Sequence, residues 1–492
     1  MNHKLRKFTA IRNAALALII CVSIHTAPIH AVCKSEACKQ ATAWKNGYTA
    51  IVLDDNISRA DYFAVLDAVK ANKGVVAIEA ERVLLGWIPI AKAAKIRGTR
   101  GVSAVLYEAV PHPDVFVHRN DALAALSFFN RVRTGEFEDV IEEGLTVHGQ
   151  PLTGCITKQS SPPARAESIR NVFLDSKAGS ESDVTRMSSR NPINNGDLMP
   201  DSHPPGVISP LYGWFQTPYH NVQMRGRITV QLFRLDSDGS IDPNEFTWTN
   251  ADLGTSRDQV YSAYTFWVDQ AAARGITLSF RVETEDPFNR LTRSIYPTPT
   301  HYEPIRHSTS DDYEWINDAL AANGYGSSPV TPDNVYTNNE SYNMAKQNDS
   351  TYGPFDGSYS LYITYNPSPA PTTFTDGQGA YVGFLGGPYA MVNWNSIGWG
   401  PSNLGRVITH ETGHIFWACD EYYDAYRATG CATCFYCAYN VGPRNRVETP
   451  WVTNANCEHI IDNSVCDVPL TTCMMKRNDY TLCPHTPGQI GW

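Results

Sequence analysis

Two histidines four positions apart, with a glutamate between them, make HETGH at His410–His414 the segment best suited to chemistry. On a helix, side chains four apart share a face, so both imidazoles can reach one ion. Glu411 projects beside them, where a carboxylate can take a proton from an attacking water. This is the residue set of zinc-assisted hydrolysis. The surrounding LGRVITHETGHIFW has the apolar flanks of a buried helix. The alternative is a structural helix with hydrogen-bonded core histidines, although burying two histidines and a glutamate without partners is costly.

A catalytic zinc site needs a third protein ligand and an open position for water. Asp420 follows in IFWACDEYYD. Six residues past His414, a straight helix would carry it about 120° around and about 9 Å along, away from the histidines. The chain is therefore expected to turn sharply after about Phe416. Asp420 is the first choice of ligand, with Glu421 or a more distant acid as alternatives.

This segment resembles the HExxHxxGxxH/D motif of metzincin peptidases, whose third ligand stands where Asp420 does. Trp417 here replaces the glycine that the family uses for the turn. Downstream, TTCMMKRNDYTLCPHTPGQIGW is similar to a metzincin Met-turn followed by its last helix. The resemblance implies that Met475, two residues after Cys473, forms an apolar floor under the metal, with Met474 or an ordinary core pair as alternatives. Tyr480 is the candidate oxyanion-binding residue, against plain packing. The DEY at Asp420–Tyr422 also resembles bacterial zinc peptidases of the immunoglobulin-A-degrading type.

The elements that must position these residues can be read more coarsely. A strand near Ile228–Leu232 is followed by SRDQ at Ser256–Gln259, which reads as a capping box opening a helix with Val260, Tyr264, Trp267 and Ala271. Strands follow at Ile276–Val282, Tyr359–Tyr365, Ala380–Leu385 and Tyr389–Val392. The zinc helix begins at about Ser402. The edge strand, Ala380–Leu385 or Tyr389–Val392, could take an extended peptide by strand addition. DSDGSID offers Asp236, Asp238 and Asp242 as candidate calcium ligands. It lacks the third early acid and the distal glutamate of an EF-hand, so a solvated turn is the competing reading.

Nearer the N-terminus, Gly47–Pro111 reads as a compact βαββαβ unit, with Ser58 capping its first helix. Small α/β units of this order are ferredoxin-like. RVLLGWIPIAKAAKIRGTRGVSAVLYEAV, from Arg82 to Val110, resembles the prodomain-inhibitor modules of secreted proteases. That implies a role in folding or in blocking the active site, against simple packing. Another helix is expected around Asp121–Val132.

Lys4, Arg6, Lys7 and Arg12 precede an apolar run from Ala14 to Ile24, with Ala31 as a cleavage point, which reads as a secretory signal. The run is too short for a membrane span of about 20 residues. An uncleaved anchor is the alternative. Export to the extracellular space or periplasm makes sense of the cysteines. Cys33 and Cys38 lie near the new N-terminus, and Cys155 stands alone as a stray thiol or a latency ligand for zinc. Eight more crowd the C-terminal quarter: Cys419, Cys431, Cys434, Cys437, Cys457, Cys466, Cys473 and Cys483. They read as four disulfides of unknown pairing, against thiolate zinc ligation by Cys431, Cys434 and Cys437.

The expected plan is α+β. It runs as a signal peptide over 1–31, a pro- or accessory domain over 32–156, a linker over 157–205 and a zinc metallopeptidase domain over 206–492. Apolar residues at 42% and charged residues at 18% exclude a disordered chain or a coiled-coil rod. A net charge of −10 lacks the basic face of a general nucleic-acid binder. The function expected is a secreted zinc endopeptidase acting on proteins or peptides, without stable membrane insertion. The alternative is a silent exported binding or adhesion protein on a peptidase scaffold. A third possibility is a zinc-helix peptidase with a glutamate ligand from a later helix.

Overall fold

The computed structural model describes residues 47–117, 120–134, 221, 223–284, 297–325, 332–383, 386–418, 420–421, 459–461, 464–466 and 473–492. The signal segment, the 157–205 linker, Cys33, Cys38, Cys155, Cys419, Cys431, Cys434, Cys437 and Cys457 lie outside them.

The protein is α+β, built on a mixed sheet of ten strands. Its first strands are β1 (Tyr48–Leu53), β2 (Val75–Ala80), β3 (Val83–Trp87) and β4 (Val102–Leu106). Helix α1 (Arg59–Ala71) follows β1, with Ser58 as its cap accepting from the Asp61 N–H, and α2 (Ala93–Arg97) precedes β4. These four strands pair antiparallel in the order β4-β1-β3-β2. Helix α3 (Asn120–Thr134) closes the segment.

The second run comprises β5 (Gly226–Ser237), α4 (Asn250–Ala272), β6 (Leu278–Thr284), β7 (Thr298–Thr300), α5 (Asp312–Ala321) and α6 (Pro332–Gln347). It continues with β8 (Gly357–Thr364), β9 (Ala380–Val382), β10 (Tyr389–Asn393) and α7 (Leu404–Ile415). Its sheet order is β6-β5-β8-β10-β9, parallel except for β9, with β7 alongside β5. From Ile228 onward β5 is buried at every position, as expected of a parallel strand covered on both faces.

The two runs share one sheet, because β2 pairs parallel with β6 through Ile78–Phe280 and Glu79–Arg281. The described residues on either side of the 157–205 stretch therefore contribute strands to one sheet. The seam is held by a buried charge. Glu79 receives Arg227 Nε at 3.0 Å and Nη2 at 2.7 Å, Ser279 Oγ at 2.9 Å and Tyr62 Oη at 2.6 Å. Burial alone would raise the Glu79 carboxyl, but Arg227, Tyr62 and Arg281 together hold it below its usual range.

Breaking such a pair from one side strands the other charge, so Glu79→Ala is expected to lower stability by about 3–5 kcal/mol in urea unfolding. Because the folded-state carboxyl is depressed, this stabilisation is present above the ordinary carboxylate range and is lost as pH falls through the lower, folded value. Wild type should therefore lose its advantage over Glu79→Ala in acid.

One helix start differs from the sequence reading. SRDQ lies inside α4, which begins earlier because the Thr249 hydroxyl accepts from the Asp252 N–H at 3.1 Å. Ser256 instead turns its hydroxyl back to Leu253 O at 2.8 Å, as a serine inside a helix can.

Candidate metal centre

Helix α7 carries HETGH and is buried along its whole length. Its first backbone amides need partners, and no side chain of its own supplies one. Gln259 of α4 does so, its Oε1 accepting from Gly405 N–H at 2.9 Å. Trp267 Nε1 donates to Thr409 O at 3.1 Å. Tyr359 of β8 joins its hydroxyl to Thr412 Oγ1 and to Tyr264 Oη, each at 2.9 Å. The helix is thus tied by hydrogen bonds to α4 and β8 on the faces that do not carry the histidines.

At its end the chain reverses. Trp417 N–H donates to His414 O at 3.0 Å and Ala418 N–H to Gly413 O at 2.9 Å, the two bonds of a Schellman motif. The left-handed position of that motif favours glycine, yet Trp417 occupies it with φ +74°. Gly386 explains how the ring is accommodated. It has φ +74°, a Cβ there would stand 2.2 Å from the Trp417 ring, and its N–H donates to His414 O at 2.9 Å. Gly386→Ala should therefore cost roughly 1–2 kcal/mol from backbone conformation alone, read as a lower thermal midpoint, and displace the indole as well.

The reversal brings Asp420 back over the helix. Its Oδ1 lies 2.9 Å from His410 Nε2 and 3.2 Å from His414 Nε2, and the two Nε2 atoms are 3.0 Å apart. The outer nitrogens are engaged elsewhere: His410 Nδ1 lies 3.0 Å from Met474 O and His414 Nδ1 lies 2.7 Å from Ala418 O. A carbonyl can only accept, so each Nδ1 carries a proton, and in the neutral ring each Nε2 then presents a lone pair. Two lone pairs and a carboxylate oxygen then converge within hydrogen-bonding distance of one another. Such a cluster calls for a positive charge among its members. Ligands on a tetrahedral ion at 2.0–2.1 Å stand about 3.3 Å apart, close to these separations. The residues present fit a divalent metal.

Electrostatics show the same demand for positive charge, met here by protons on the rings. Burial would raise Asp420, but His414 and His410 hold its carboxyl well below the usual range. Burial would lower His414, but the charge and hydrogen bond of Asp420 raise it. Glu411 is pushed up to about 8 by burial, with His410 lowering it and Asp420 raising it. Among the described residues its carboxylate takes no hydrogen bond, so it stands beside the trio with its oxygens available. A divalent cation would draw it back towards the ionised form.

The remaining candidates are placed as follows. Met475 lies under α7, and a Cβ on Gly413 would stand 2.6 Å from its sulfur; Met474 supplies the carbonyl to His410. Glu421 points away from the trio, its Oε1 accepting from Cys483 Sγ at 2.9 Å and Thr486 Oγ1 at 3.1 Å. Tyr480 is not brought to the trio. Its hydroxyl stands beside Gly405, 3.0 Å from where a Cβ there would lie, near the start of α7, and its ring lies under Arg406. That contact supports the packing alternative over an oxyanion role.

The calcium candidates do not converge either. Asp238 Oδ1 accepts from Ser240 N–H at 2.8 Å, and Asp242 Oδ2 from Glu303 N–H at 2.9 Å. Asp236 is buried, which raises it to about 7. Among the described residues, groups of three or more His, Cys, Asp or Glu ligand atoms within 4.8 Å occur only at His410–His414–Asp420 and Glu421–Cys473–Cys483. The loop closes as a turn against residues 300–307.

No family model, curated protein or solved structure matches the chain. Its function must be argued from the site itself. Sequence reasoning did not find Gln259, Gly386 or the carbonyls of Met474 and Ala418. Backbone acceptors have no residue type to betray them, and Gln259 is a common surface residue in any helix.

Proposed function

We propose that the chain is an exported zinc-dependent endopeptidase, with His410, His414 and Asp420 holding the metal and Glu411 as general base. The observation that carries this reading is the convergence of two Nε2 atoms and a carboxylate oxygen beside Glu411, whose carboxylate takes no hydrogen bond among the described residues. A binding protein would have no use for Glu411.

Zinc, when bound, supplies Lewis acidity and an acidified water. The protein's own residues do the rest. Met474 O and Ala418 O fix the tautomer and orientation of both rings. Asp420 completes the ligand set and offsets charge. Glu411 takes a proton from the attacking water and passes it to the amine nitrogen as the peptide bond breaks. The strand β9 ends the sheet order beside β10, and an extended protein or peptide substrate would pair along it.

In fold terms, we read residues 47–106 as a ferredoxin-like module, supported by the β4-β1-β3-β2 order. The remainder reads as a metzincin-like domain, supported by parallel strands with an antiparallel edge, the reversal after α7 and a methionine beneath it. The module stands at the opposite end of the sheet order from β9, which favours an accessory role over one that covers the site. Nucleic acid is not among the proposed partners, and calcium is not required by the loop as folded. Among the described residues no helix is long and apolar enough to cross a membrane.

Zinc analysis of the purified protein, together with casein hydrolysis, tests the reading. The expected result is about one zinc per chain and hydrolysis abolished by chelation. A zinc-loaded protein that cleaves no protein substrate would favour the binding-protein alternative.

A further inference from the structure

A second buried cluster lies directly behind the metal centre. Cys473 and Cys483 are unbonded to another sulfur and almost wholly shielded, at 0% and 1% exposure. Their sulfurs and a Glu421 carboxylate oxygen lie within 4.8 Å of one another. The backbone brings them there: Met474 N–H donates to Thr481 O at 2.7 Å, closing a short loop whose two ends are these cysteines. Cys483 N–H reaches Cys473 Sγ at 3.3 Å, and Thr486 Oγ1 sits 3.2 and 3.3 Å from the two sulfurs.

We propose that Cys473 and Cys483 form a disulfide in the mature protein, stapling the loop that supports the metal centre. That loop contains Met474, whose carbonyl orients His410, and Met475, which fills the space over Gly413. A metal ion held by the two thiolates and Glu421 is the competing occupant. The ligand count and the compartment favour the disulfide. Cys473 Sγ already accepts from Cys483 N–H, and Cys483 Sγ accepts from His485 and Thr486 N–H at 3.3 and 3.4 Å. These bonds hold the two sulfurs side by side; among the described residues the cluster offers only three ligand atoms, one short of a closed four-coordinate structural zinc site, and the exported chain proposed above meets an oxidising compartment.

The oxidant is a disulfide donor such as oxidised glutathione. One cysteine, its proton lost to solvent, attacks the donor sulfur and forms a mixed disulfide, releasing one donor thiolate. The other cysteine, also deprotonated, attacks its partner's sulfur and expels the second donor thiolate. Two cysteine thiols are oxidised, one donor disulfide is reduced, and the released thiolates take up the two protons. Because the pocket excludes solvent once formed, the exchange belongs to folding.

The test is peptide mapping of the full-length protein, folded in a glutathione redox buffer, alkylated without reduction and digested. A peptide linking Cys473 to Cys483 is expected. In the Cys473→Ser/Cys483→Ser double variant, the thermal midpoint should fall by about 3 °C. Both cysteines recovered alkylated, or each linked to a different cysteine, would overturn the proposal. A second zinc per chain, lost in the double variant, would overturn it in favour of a thiolate metal site. The linkage should also be present in Asp420→Ala, so its absence is separable from any failure of the peptidase reading.

Discussion

Glu411→Gln is expected to lower kcat/KM for a peptide substrate by about 10²–10⁴-fold, roughly 3–5 kcal/mol of transition-state stabilisation, while zinc content stays near that of wild type. The amide is nearly isosteric with the carboxylate, so packing around α7 is preserved. It cannot take a proton from water, however, and it is not among the three converging ligand atoms. Loss of rate with metal retained is the signature of a base that is not a ligand. Loss of both together would place Glu411 in the ligand set and redraw the site. Kinetics with a quenched fluorescent peptide and metal analysis on the same preparation separate these outcomes.

Asp420→Ala should act in the opposite order, removing the metal first and the rate as a consequence. Deleting a partner outside the ligand set costs 10–100-fold in metal affinity, and deleting a ligand should cost more. After dialysis the variant is expected to hold almost no zinc. Glu421→Gln, which keeps a hydrogen-bonding group beside Cys483 and leaves the trio untouched, should retain it. This pair of variants distinguishes the neighbouring acids, which the sequence left open and the geometry separates: the Asp420 carboxylate faces the histidines at 2.9 and 3.2 Å, while that of Glu421 faces Cys483.

Helix α7 was legible because its information is periodic. A four-residue spacing puts two imidazoles on one face, and apolar flanks imply burial. The need for a turn before Asp420 was legible too, from helix geometry alone. Its execution was not. A tryptophan in the left-handed region is uncommon, and here it depends on Gly386, some thirty residues earlier, leaving room for the indole.

The N-terminal βαββαβ unit could be read almost residue by residue, since its strands are short, apolar and bounded by clear turns and caps. Helices α5 and α6 went unread. The sequence of α6 is rich in asparagine and lacks an apolar stripe. In the fold Asn339 and Asn343 are fully buried, bonded to Tyr362 and Ser360 of β8, so polar contacts supply what an apolar stripe usually does. The seam between the two halves was likewise hidden. A polar stretch of sequence suggested separate domains, whereas strand pairing across β2 and β6, sealed by Glu79 and Arg227, depends on contacts far apart in the chain.

Zinc K-edge X-ray absorption on the purified, metal-loaded protein puts the ligand set itself to the test. A shell of nitrogen and oxygen at about 2.0–2.1 Å, with the scattering pattern of two imidazoles and no sulfur, is the predicted spectrum. A sulfur shell at about 2.3 Å, or one without imidazole scattering, would mean that the ion sits elsewhere and that His410, His414 and Asp420 do not form its site.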